Sequence, residues 1–156
     1  VLMGGLVTWF VAVQRMNYDR KKERRELVLT KYESLHEELE NLKAYVGQYT
    51  SQLLSELATG EPIQPKELTV GSPSQKINML IQFYVPELLD KHQYIVKQTK
   101  FLHEHFVKHI SEPQRTKEFV TESSVMAHEL YKAVCTTVEG MQEQLVVLSN
   151  KELGNA

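Results

Sequence analysis

Three histidines fall within nine residues in the run from Phe101 to His109, and no other stretch gathers potential ligands so closely. His105 and His109 stand four apart, one turn of a helix, the spacing at which two imidazoles reach a single Zn or Fe ion. His36 and Glu40 form a second i,i+4 pair, and Glu33-x-x-His36 occurs once. Di-iron bundles need that Glu-x-x-His pattern from two helices. The apolar neighbours Leu35, Leu39, Leu102 and Phe106 claim the inward face, which leaves His36 and Glu40 outside it and His105 at its edge. The pattern therefore implies no metal and no cofactor, with His105 and His109 as the one pair that could bind a metal at all.

The remaining chemistry is sparse. Cys135 is the single cysteine, so no intrachain disulfide forms. It follows apolar Val134 in mid-helix, where nothing generates a thiolate, and reads as a small buried hydrophobe. The seven glycines form no phosphate-binding loop, and neither HExxH nor GxSxG occurs. Tyrosines and phenylalanines recur at helical spacing, as packing residues do. The expectation is a protein that is not an enzyme.

The elements that position these residues are helices, and the expected class is all-α. Val28, Tyr32, Leu35, Leu39, Leu42, Val46, Tyr49 and Leu53 alternate spacings of four and three, a heptad seam over almost four repeats. Leu27, Tyr45 and Leu54 widen it, as expected of a helix with two neighbours. Gly60 and Pro62 end this helix, predicted over 27–58, and a loop follows over 59–72. Ser72-Pro73-Ser74-Gln75 opens a second helix with an N-cap, a proline at the first position and a capping-box glutamine. Its stripe of Ile77, Ile81, Tyr84, Leu88, Ile95, Leu102, Phe106 and Ile110 predicts one helix over 73–110, kinked or briefly broken at Pro86. A similar signal at Ser111-Glu112-Pro113-Gln114 starts a third helix over 113–150. Three segments of similar length predict an antiparallel up-down-up bundle over 27–153, with surplus apolar surface for a second copy.

The first fourteen residues differ from the rest. Residues 1–14 carry no charge, and Arg15 is the first ionisable side chain. As a helix they span about 21 Å, short of the roughly 30 Å hydrocarbon core. The chain starts at a residue other than Met, and the expectation is the C-terminal part of a transmembrane helix. Leu6, Val7, Trp9, Phe10 and Val11 would be the membrane-inserted side chains. Gly4, Thr8 and Ala12 would form a small-residue packing face for another membrane helix.

Residues 15–26 read as a basic junction. Arg15, Arg20, Lys21, Lys22, Arg24 and Arg25 stand against Asp19, Glu23 and Glu26. Basic residues beside a membrane helix stay on the cytoplasmic side and attract anionic lipid, so the bundle is expected there. After residue 25 remain 12 of the 18 basic and 18 of the 20 acidic residues, a charge of −6. An acidic body excludes broad contact with nucleic acid. The expected partners are the membrane and a second copy or a membrane protein, and the expected function is a membrane-anchored scaffold or regulator working by helix–helix association. The alternative is a sensor module binding a small ligand between its helices.

Overall fold

The computed structural model describes residues 2–59, 73–110 and 116–154, and it is helical almost throughout, with no strand among the described residues. Helix α1 (Leu2–Thr59) runs unbroken for 58 residues. At 1.5 Å per residue that is about 87 Å. No proline interrupts its hydrogen-bond ladder. From Tyr32 to Leu57 the buried side chains recur at threes and fours: Tyr32, Leu35, Leu39, Leu42, Val46, Tyr49, Leu53 and Leu57. Val28, at the start of the expected seam, is half-buried. Residues 11–24 are exposed apart from half-buried Val13, so the N-terminal part of the helix stands clear of the bundle.

The expected single helix over 73–110 is two helices folded back on one another. Helix α2 (Pro73–Tyr84) ends at Val85, one 3₁₀ turn follows (Pro86–Leu88), and α3 (Leu89–Ile110) runs the other way. A residue before proline is driven out of the helical region by the ring, and Val85 sits at φ −145°, ψ 57°. Two backbone bonds close the turn, from the Val85 amide to the Ile81 carbonyl and from the Leu88 amide to the Val85 carbonyl, each 2.9 Å. The consequence shows in Ser74 and His92. On a straight helix they would lie about 27 Å apart, yet their side chains are hydrogen-bonded at 3.2 Å.

Cross-helix contacts fix the directions. Arg25 reaches Leu153, Glu40 meets Gln142, and Gly47 lies against Tyr131, so α4 (Lys117–Gly154) runs antiparallel to α1. Lys91 donates to Gly140 and Gln144, and His105 meets Ser123, so α4 is antiparallel to α3 as well. Lys76 pairs with Glu38 at 2.5 Å and ties α2 to α1. The order is up-down-up-down, which corrects the three-helix expectation.

Two cores result. In the lower one, four helices bury Leu35, Leu39, Ile77, Ile81, Ile95 and Val138 together. In the upper one, among the described residues, α1, α3 and α4 contribute, through Leu53, Leu57, Leu102, Phe106 and Ala127. Gly47 sits where α1 and α4 approach closely: an added Cβ would stand 3.0 Å from the Tyr131 hydroxyl.

Boundaries shift elsewhere too. Helix α4 starts at Lys117 rather than 113, because the Thr116 hydroxyl accepts the Phe119 amide at 3.2 Å as an N-cap. Ser72 and the run from Ser111 to Gln114 lie outside the described residues, as does the expected loop over 59–72 apart from Thr59, which ends α1. No helix among the described residues is long and apolar enough to cross a membrane. The uncharged stretch stops at Arg15, so the transmembrane reading of residues 1–14 gains no support from the structure.

Leu39 is fully buried in the seam while Leu27, on the widened stripe, is half exposed. Leu39→Ala is expected to cost about 2–5 kcal/mol in urea unfolding, and Leu27→Ala no more than about 0.5 kcal/mol. Equal losses would show that the seam is not where the bundle holds together.

Candidate functional site

Two regions stand out. The first is the free end of α1. Arg15, Arg20, Lys21, Lys22 and Arg24 are exposed there. At about 100° per residue the basic side chains spread over about 220° of the helix, and Asp19, Glu23 and Glu26 fill the remaining side. Two of the six are already engaged. Lys22 lies 3.9 Å from Glu26. Arg25 turns back to the bundle, its Nη2 donating to the Leu153 carbonyl at the end of α4, where a cation suits the helix dipole. Of the expected membrane-facing residues, Val11 and Ala12 are exposed, whereas Leu6, Val7, Trp9 and Phe10, with Gly4 and Thr8, lie in the helix without described side chains.

The second region is a cavity of about 280 Å³ between α1 and α3, at the level where α2 begins. Leu42, Tyr45 and Val46 from α1 and Ile95 and Val96 from α3 form its apolar walls. Its polar atoms come from Tyr49, Ser74, Thr99, Lys100 and His103. The Tyr49 hydroxyl lies 2.5 Å from His103 Nδ1. Burial pushes that hydroxyl up to about 12, so it keeps its proton at neutral pH and donates to the imidazole. Thr99 is turned to its own helix, donating to the Ile95 carbonyl at 2.9 Å. Lys100 reaches Glu104 at 3.6 Å, but both side chains are mostly exposed. An exposed pair of that kind contributes little and leaves the ammonium free to swing.

Behind this cavity, His92 is buried and its Nε2 faces the Ser74 hydroxyl. Burial holds its pKa below the usual value of 6.5. Ser74 and His92 also border a wider hollow of about 640 Å³ on the outer side of α2 and α3, with Asp90 and Lys97 at its rim. Nothing in the periodicity pointed to Ser74, His92 or the Tyr49–His103 pair. Only the reversal at Pro86 brings Ser74 back beside α3.

Of the expected metal pair, His105 and His109, the side chain is described for His105 alone. His105 contacts Ser123 at 3.3 Å and stacks on Phe119, with ring centroids 6.0 Å apart. The His109 side chain lies outside the described residues. Glu40 is occupied by Lys43 and Gln142, and their hydrogen bonds, Gln142's the stronger, hold its carboxyl below the usual range. No group of three or more His, Cys, Asp or Glu side chains suited to a metal occurs among the described residues. Cys135 is half-buried rather than buried, hydrogen-bonded to Tyr131, whose hydroxyl it raises.

No protein family, curated protein or solved structure matches the chain.

His92 gives a pH prediction with a definite sign. Its folded pKa is lowered, so as pH falls through 6.5 the unfolded chain takes up a proton that the folded chain refuses. Stability is therefore expected to drop below that pH. Glu56, raised by burial, acts oppositely, losing stability as pH rises above 4.5. Urea midpoints at about pH 7.5 and about pH 5.5 should differ for the natural chain and differ less for His92→Gln. Identical pH dependence in both would remove His92 as the cause.

Proposed function

We propose that this chain is a non-enzymatic helical interaction protein, anchored at a membrane through the free end of α1 and working by helix–helix association in or at a membrane complex. The observation that carries this reading is the exposed N-terminal part of α1, where an uncharged run passes directly into a cluster of basic side chains. A helix lying flat on a surface gathers its cations on one side and apolar groups on the other. Here the cations cover about 220° of the helix and the remaining side is acidic rather than apolar. No apolar face is left to lie on a surface, and the arrangement suits a helix standing upright through the headgroups. The uncharged end then enters the hydrocarbon part-way, and the basic side chains meet anionic lipid. Basic residues retained beside the membrane place the bundle on the cytoplasmic side.

The bundle supplies surface for a partner or a second copy. Met79 and Phe83 stand exposed one turn apart on the outer face of α2, and Val146 and Val147 on α4. Neither set belongs to a core. A second reading, a ligand-responsive sensor, is favoured by the cavity between α1 and α3. The same helix that forms one wall of that cavity continues to the free end.

Flotation with vesicles tests the anchoring. The chain is expected to float with vesicles containing phosphatidylserine and to do so less with phosphatidylcholine alone. Replacing Arg15, Arg20, Lys21, Lys22 and Arg24 by Gln should remove most of the anionic preference, at about 1 kcal/mol per basic residue. A chain that stays at the bottom of the gradient with both vesicles is not anchored by this segment.

A further inference from the structure

We infer that the cavity between α1 and α3 is a binding site for a small aromatic carboxylate. Its volume of about 280 Å³ lies at the lower end for ligand sites, room for one or two fused rings. The walls are suited to an apolar ring: Tyr45 and Tyr49 contribute aromatic surface, and Leu42, Val46 and Ile95 aliphatic surface. Aromatic rings pack on one another in offset or edge-on geometry with a gain beyond the area covered.

The charge of the lining selects the head group. None of the described lining residues is acidic, while Lys100 and His103 are basic. Lys100 stands at the mouth about three turns into α3, in an exposed pairing with Glu104. A ligand carboxylate offers the ammonium a partner beside a low-dielectric wall, where the attraction exceeds that of a pair in open water. Ser74 lies in the same lining, its hydroxyl hydrogen-bonded to His92 at 3.2 Å, and gives the cavity a second polar edge. The Tyr49 hydroxyl is already paired with Nδ1 of the exposed His103, so a ring packed against Tyr49 strands no hydroxyl. An ammonium ligand would meet the Lys100 charge at the mouth and is disfavoured there.

This site deepens the sensor reading and is independent of the membrane anchor, which has its own vesicle test. Titration calorimetry with 2-naphthoate measures it on the whole chain. Saturable binding of one molecule per chain is expected, with Lys100→Glu weakening it about tenfold and 2-naphthylmethylammonium binding at least as much more weakly. Val96→Trp, at a partly exposed wall position, fills the mouth and should abolish binding with the helical circular dichroism intact. Should that variant unfold, amide chemical shifts of the natural chain serve instead: Val46, Ile95 and Val96 must move together on titration. Absence of saturable binding, equal binding of the cation, or shifts confined to Met79 and Phe83 would overturn the assignment. Binding that leaves the exposed half of α1 unmoved, read from spin-label distances between residues 20 and 150, would keep the site and end the sensor reading.

Discussion

The architecture depends on one dipeptide, Val85-Pro86. Proline has no amide hydrogen to give, and its ring forces the preceding residue out of the helical region. With Val85 at φ −145° a helix cannot pass through, and the chain turns back. From that turn follow the antiparallel pairing of α2 and α3, the hydrogen bond between Ser74 and His92, and the short reach of α2 along α1. The lower bundle has four helices because the chain reverses there. The described upper core draws on α1, α3 and α4, since α2 starts at the level of Tyr45 and Tyr49.

Helix α1 is the common support. Its seam meets α2 and α4 low in the bundle and α3 and α4 higher up, so one stripe of residues serves both cores. That double duty explains why the stripe is wider than a strict two-helix seam, with Tyr45 and Leu54 packed at its margins. Arg25 fastens the end of α4 to α1 at the point where α1 leaves the bundle. Below that point nothing in the composition of residues 11–24 favours packing, and the helix there is charged on nearly every side.

Legibility in the sequence followed how local each feature was. The long first helix could be read because spacings of four and three repeat without a proline over many turns, and burial of Leu35, Leu39 and Leu53 follows that rhythm. The hairpin of α2 and α3 was hidden by its own regularity. Ile81, Tyr84 and Leu88 keep the helical spacing across Pro86, since residues on both arms face the same core whether the chain bends or folds back. Proline alone cannot distinguish a kink from a reversal. The start of α4 was misplaced because Ser111-Glu112-Pro113 resembles a cap as strongly as Thr116 does. The cavity was illegible for a different reason: Tyr49, Ser74 and His103 come from three helices, and their meeting depends on the direction of each.

The division of the described core into two sets has a consequence for motion. Proteins open in cooperative units whose free energies follow local burial. Among the described residues the set around Leu53 and Phe106 and the set around Leu39 and Val138 share no member, though helix α1 threads both. One set can therefore loosen while the other stays closed, with α1 as the spine that carries both through the opening.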